Sequence, residues 1–261
     1  SLILGGIILG IYTGLLGYVG AKTGLSLDLL SQRAFGEKGS YLPSAMTSFT
    51  QIGWFGVGSF VSGGTATPNF ARFAKNGKSG AITTVVAFFI GNSLMFFFGA
   101  VSSIFVGGND IFEVMVRLNL FYLAVLVLGL NIWTTNDNAL YTAGLGLANI
   151  FHQRKKPMVL LSGIIGTVAS VWLYYNFCGW LNILNCTLPP VGMILVLAYF
   201  MNKEDFETDQ PKLKTIDWFA VAGVILGAIV ANLLHWGIAS INGMVVAAVC
   251  YCVGQAVNKR K

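Results

Sequence analysis

Apolar residues run through this chain in blocks long enough to cross a bilayer, separated by short polar connections. A spanning helix needs about 20 mostly apolar residues, and the windows 1–21, 82–106, 118–151, 158–177, 180–200, 218–234 and 238–257 qualify. The pattern predicts an all-α polytopic membrane protein. The 118–151 window is over-long, which implies tilt or an irregular end. It is also interrupted by the polar run Asn131-Ile132-Trp133-Thr134-Thr135-Asn136-Asp137-Asn138. A charged or strongly polar group in hydrocarbon costs about 2.5–3.5 kcal/mol on insertion scales, so it persists where it faces a cavity or a partner. Something polar is therefore expected to be handled halfway across.

Composition agrees, with 55% hydrophobic and 10% charged residues. The 32 glycines suit helices that approach closely through small residues. Cys178, Cys186, Cys250 and Cys252 lie in or beside spans and read as packing residues. His152 and His235 are far apart, so no metal constellation is expected. Ser1 opens directly into an apolar stretch without an initiator Met, and the natural start is expected upstream.

Loop charges predict the orientation. Cations cluster at Lys22/Arg33/Lys38, Arg72/Lys75/Lys78, Arg154/Lys155/Lys156, Lys203/Lys212/Lys214 and Lys259/Arg260/Lys261, with Arg117 the exception beside Asp110 and Glu113. From Arg72 onward, basic and non-basic connections alternate, as the positive-inside rule requires, with the C-terminus inside. The net charge of +6 thus reads as loop bias. A nucleic-acid partner would need a basic face on a soluble domain; none is expected, and no obligate protein partner is implied.

The same rule exposes a conflict upstream. Residues 22–38 and 72–78 both read as inside, so an even number of crossings must separate them. The intervening 39–71 is too short for two full spans. It is either a re-entrant hairpin or a place where residues have been lost; loss near Gly58–Ser59 is the expectation.

Candidate site residues gather around these two places. Ser59-Phe60-Val61-Ser62-Gly63-Gly64-Thr65-Ala66-Thr67-Pro68 mixes helix breakers with hydroxyls. Such backbone is tolerated at membrane depth beside protein or a cavity, and broken helices build the midplane sites of secondary transporters. A glycine-softened packing helix is the plainer alternative. Gln51 and Trp54 share a helical face, and an amide can read a planar ring by its edge. Trp54 and Phe60 could stack on its faces, although Trp in membrane proteins usually packs or anchors. In the polar run, Asn131, Thr134 and Asn138 form a stripe with Thr135 adjacent. Their hydroxyls and carbonyls are hard oxygen ligands suited to Na⁺; polar bonding between helices is the alternative. Asp137 is an acidic residue well inside a span, functional or a paired structural carboxylate.

Gly53-Trp54-Phe55-Gly56-Val57-Gly58, the 59–73 stretch, Gly91-Asn92-Ser93-Leu94-Met95-Phe96 and above all 129–150 closely resemble the nucleobase–cation symporters. The resemblance runs along essentially the whole chain. It implies a LeuT-type fold of inverted five-helix repeats with two extra C-terminal helices. On that pattern 1–58 is a remnant of the first repeat (helix 2 and part of helix 3), 59–201 the second repeat from broken helix 6 to helix 10, and 202–261 a cytoplasmic loop and the last two helices. Helix 1, the end of helix 3, and helices 4 and 5 have no counterpart.

The resemblance also implies roles. Trp54 and Phe60 would sandwich a base, with Gln51, Ser62 and Asn136 reading its edge. The Asn131 carbonyl, Thr134 and Thr135 would form the helix 8 half of a sodium site, sodium being the coupling ion with no other cofactor. The implied activity is sodium-coupled import of cytosine or a related nucleobase across a bacterial inner membrane by alternating access. A proton-coupled permease for another nucleobase or a hydantoin-like ring, with Asp137 as relay, is the alternative within transport. An intramembrane enzyme would need a nucleophile–base pair or metal cluster, which the sequence does not present, and nothing predicts a channel's ring-lined pore.

Overall fold

The computed structural model describes residues 2–57, 67–107, 111–208, 210–211, 213–234 and 236–258, with the side chains of 2–6, 54–57, 92 and 174 also outside the description. The regular elements among these residues are helical. They are α1 (Leu2–Thr23), α2 (Leu27–Phe35), α3 (Tyr41–Val57), α4 (Pro68–Ala71), α5 (Gly77–Val85), α6 (Asn92–Val106), α7 (Ile111–Arg117), α8 (Phe121–Phe151), α9 (Lys155–Tyr175), α10 (Phe177–Met201), α11 (Lys203–Glu207), α12 (Trp218–Leu233) and α13 (Ala239–Asn258). Each apolar window of the sequence became a helix. Four described segments, 77–106, 155–173, 177–201 and 239–258, are long and apolar enough to cross a membrane, and 7–23 and 218–233 are shorter apolar helices. The over-long window is one unbroken helix, α8, of 31 residues, about 46 Å at 1.5 Å per residue. It stops at His152, in the left-handed conformation at φ 52°.

Three packed groups organise the helices. In the first, α1 packs on α4 and α5. Gly14, Gly17 and Gly20 make this possible: a Cβ on each would lie 2.6 Å from Val85, 2.4 Å from Thr84 and 2.7 Å from Pro68. In the second, α3, α8 and α9 pack together, with Gly144 against Val159 and Gly146 against Ser48. The third joins α10, α12 and α13. Small residues replace the hydrophobic effect as the organising principle, because lipid tails are as apolar as the side chains they would displace.

Two local breaks follow from sequence. Pro189 and Pro190 lie inside α10; the missing N–H of Pro189 frees the carbonyl of Asn185 four residues back. The Ser240 hydroxyl of α13 takes that carbonyl at 3.1 Å and the Asn185 side-chain oxygen at 2.5 Å. Between α5 and α6 the helix widens to a π-turn over Val86–Gly91, immediately before the Gly91–Phe96 motif. Such π-turns often mark functional positions.

The deepest core sits at one end. Leu16 and Val19 of α1, Leu30 and Phe35 of α2, Ile194, Leu195 and Tyr199 of α10, and Tyr251 of α13 are buried together. The same end gathers the cations. Arg33 donates to the carbonyls of Asp205 and Thr208, Lys22 pairs with Glu207 at 3.8 Å, and Lys214 pairs with Asp217 at 3.0 Å. Arg72 and Lys155 both meet Tyr141. Here the α2–α3 connection pairs with the segment before α12: Glu37 N–H to Lys214 O at 2.7 Å and Lys38 N–H to Thr215 O at 2.8 Å. Gly36 turns that corner at φ 87°, and a Cβ there would lie 2.6 Å from the Lys214 oxygen.

Helix α2 was read from the sequence as part of a basic connection. The structure makes it a short helix capped by the Ser26 side chain on Leu29 N–H, with Leu27, Asp28, Leu30, Ser31, Ala34 and Phe35 buried. The proposed seam at Gly58–Ser59 lies outside the described residues.

Candidate substrate and ion site

Helix α3 carries a polar stripe in an apolar sequence. Ser44, Ser48 and Gln51 recur at helical spacing and are buried, with Thr47 and Thr50 beside them. The two threonines return their hydroxyls to the carbonyls of Pro43 and Met46, four residues back, at 2.8 and 2.6 Å. That satisfies their hydroxyl donors without a partner helix. The serines instead reach α8. Ser48 donates to the Ala143 carbonyl at 3.2 Å, and Asn149 donates to Ser44 at 2.9 Å.

These contacts set an antiparallel register. Ser44 meets Asn149 and Gly146, and Ser48 meets Ala143, so each step along α3 meets an earlier step on α8. Continued one turn, the register brings Gln51 level with Ala139, and the backbone of Trp54 level with Thr135 and Asn136. Gln51 is buried, and Thr135 and Asn136 are half-buried. Gly53, on the neighbouring face of α3, abuts the indole of Trp180 in α10, 2.3 Å from where a Cβ would sit. Sequence spacing foresaw the Gln51–Trp54 face; its pairing with α8 is a product of packing. The side chain of Trp54, and Phe60 and Ser62 entirely, lie outside the described residues.

The stripe Asn131, Thr134 and Asn138 is exposed, as is Asp137. Thr134 donates to the carbonyls of Leu130 at 3.0 Å and Asn131 at 3.1 Å. The Asn131 carbonyl and the Thr134 hydroxyl, two of the three proposed cation ligands, thus stand side by side. A hydroxyl keeps its lone pairs for a cation while its proton is engaged. Among the described residues, no group of three or more His, Cys, Asp and Glu could hold a metal ion, and the described cysteines are unpaired.

Sequence reasoning missed a second polar cluster at the basic end. Asp28 of α2 accepts from Ser44 at 2.6 Å, and Gln32 of α2 donates to Asn149 at 2.7 Å. Asn69 of α4 accepts from Leu27 N–H at 2.8 Å, and Arg72 donates to the Tyr141 hydroxyl. Asp28 follows the Ser26 cap like any first-turn acid, so its sequence context signals a helix start alone. The Ser44–Ser48–Gln51 spacing was the available clue to a buried polar seam.

An all-helical membrane protein with tightly seamed helix groups and a polar run at mid-span has the build of a secondary transporter. Comparison with solved structures agrees. The nucleobase–cation symporter Mhp1, in a closed conformation with bromovinylhydantoin bound, superposes with a TM-score of 0.75 at 14% identity, over 98% of this chain and 84% of that one. The fold is thus the LeuT type. The family model for permeases of cytosine/purines, uracil, thiamine and allantoin matches residues 1–66 and 56–257, and the chain belongs to that family. It is 35% identical to the cytosine permeases of Escherichia coli K12 and O157:H7, over alignments of 354 positions that take in the whole chain and 84% of each relative. Those alignments are longer than the 261 residues of the chain, so the relatives carry residues with no counterpart here. The two family matches meet at 56–66, where the loop-charge parity fails.

Proposed function

We propose that the protein imports cytosine or a closely related nucleobase with sodium, by alternating access, across a bacterial inner membrane. The observation that supports this reading is the α3–α8 register, whose continuation brings buried Gln51 level with Ala139, about one turn from half-buried Thr135 and Asn136, in a chain 35% identical to cytosine permeases. Trp54 and Phe60 sandwich the base, and Gln51, Ser62 and Asn136 meet its polar edge. A dry site built to hydrogen-bond a ring rejects analogues lacking those groups, since its own polar atoms are then left unpaired. The Asn131 carbonyl and the Thr134 and Thr135 hydroxyls supply oxygen ligands to sodium on the adjacent face of α8. The basic end, where four cation clusters meet, faces the cytoplasm with the C-terminus.

Coupling follows from linkage. An ion that stabilises the base-competent arrangement tightens base binding, and the base tightens ion binding by the same factor. Uptake of labelled cytosine into proteoliposomes, compared in sodium and choline buffers, tests this. Uptake driven by an inward sodium gradient and lost in choline is expected. Equal uptake in both discards the sodium assignment in favour of proton coupling, and no uptake of any nucleobase rejects the substrate assignment.

A further inference from the structure

Asp28 has no part in the substrate or ion site, yet it is buried where the α1–α4–α5 group meets the α3–α8–α9 group. It ends a chain of hydrogen bonds. Gln32 Nε2 donates to Asn149 Oδ1 at 2.7 Å, Asn149 Nδ2 donates to Ser44 Oγ at 2.9 Å, and Ser44 Oγ donates to Asp28 Oδ1 at 2.6 Å. Every donor points the same way. A serine hydroxyl has one proton to give; giving it to Asp28 leaves its lone pairs for Asn149. The chain must end on an acceptor, and an ionised carboxylate is the strongest available. Because it starts and ends on α2 and passes through α8 and α3, it ties α2 to the second group.

A proton added at Oδ1 turns that end from acceptor into donor. Ser44 then receives from both Asp28 and Asn149, and its own proton has lost its acceptor. The first group adjoins the same carboxyl. Arg72, directly after α4, favours the ionised carboxylate through its field while donating to Tyr141 of α8. Asn69 of α4 holds the Leu27 N–H beside Asp28.

We propose that Asp28 is a proton-binding site where the two helix groups meet, whose charge state resets the hydrogen-bond chain that joins them at the basic end. Burial pushes the carboxyl up to about 6, against the Ser44 hydrogen bond, its own backbone N–H and the charge of Arg72. The proton therefore exchanges within an ordinary pH range. Other charges around α2 are committed elsewhere: Arg33 to the Asp205 and Thr208 carbonyls, Lys214 to Asp217, Lys22 to Glu207, and Lys155 to the Tyr141 ring. His152, at the end of α8, lies edge-on to Tyr41 of α3.

Resetting the chain affects transport on the alternating-access reading, on which this consequence rests; the proton site itself does not depend on it. Two measurements separate them. Infrared difference titration of the purified chain in lipid should show a protonated-carboxyl band growing as pH falls through about 6. The band should vanish in Asp28→Asn and remain in Asp137→Asn. Ser44→Ala, which removes a bond favouring the carboxylate, should move it to higher pH. A band unchanged in Asp28→Asn, or unmoved in Ser44→Ala, overturns the site. Cytosine uptake should show an inflection at the same pH that Asp28→Asn abolishes and Ser44→Ala shifts upward. An inflection that survives Asp28→Asn overturns the effect on transport. Wild-type protein without uptake at any pH rejects the transport reading, and the infrared result then decides the proton site alone.

Discussion

Helix α8 carries two polar regions that behave in opposite ways. In its last turns Asn149 reaches across to α2, α3 and the connection between them, bonding Gln32, Ser44 and Ser40 at 2.7–3.1 Å. At mid-helix the Thr134 hydroxyl, among the described residues, bonds carbonyls of its own helix, and Asn131, Asp137 and Asn138 are exposed. The residue types are alike; the neighbours differ. Where α3 approaches through Gly146, side chains spend their hydrogen-bonding capacity on other helices and become structural. Where no described helix closes on the stripe, the capacity stays available to a ligand or ion. Within one membrane helix, polarity alone separates neither role; the partner across the seam does.

The seam itself is the largest lever. Gly146→Leu drives a side chain toward Ser48 Oγ and the Ser44 carbonyl, 2.2 and 2.8 Å from the Cβ position. It should cost upward of about 3 kcal/mol and remove most folded protein on size exclusion in mild detergent. Gly129, in the other half of α8, has nothing within 4 Å of its Cβ position, and Gly129→Leu should be tolerated. Equal losses would erase the contrast between the two halves.

The buried end should also titrate. A carboxyl raised to about 6 from an ordinary 3.8 binds its proton more tightly in the folded protein. Its stabilising contribution is full below the ordinary value and is lost as pH rises through about 6. The sign is that stability falls between about pH 4 and 6, by roughly 2–3 kcal/mol at 1.36 kcal/mol per unit. Thermal unfolding across that range should show the decline in wild type and a flat profile in Asp28→Asn.

Asn149→Ala leaves Gln32 and Ser44 short of partners and should lower stability by about 1–3 kcal/mol. Asn138→Ala, exposed on the same helix, should stay within about 0.5 kcal/mol. Thermal shifts that reversed this order would relocate the structural end of α8. The smallest effects are read in binding at the proposed site. Gln51→Ala should weaken cytosine binding by more than about 1 kcal/mol. Thr135→Ala should raise the sodium concentration needed for cytosine binding while leaving affinity at saturating sodium nearly unchanged. Titrations of cytosine at graded sodium check both; unchanged affinity in Gln51→Ala would remove that residue from the site.

The linear pattern of apolar blocks determined the helices, because a backbone in hydrocarbon must satisfy its own hydrogen bonds and the helix does so within one segment. It also determined which ends carry the cations, and its motifs carried the family. Short-range spacing foresaw the Gln51–Trp54 face but not its register against α8. That register, the burial of Asp28 and the exposure of the Asn131–Thr134–Asn138 stripe were decided by tertiary structure. Each depends on which glycine lets which helix approach: a Cβ at Gly146 would hold α3 and α8 apart, and the sequence around Gly129 is as apolar as that around Gly146. Helix formation is local and legible along the chain, whereas contact between seams is a property of two distant surfaces.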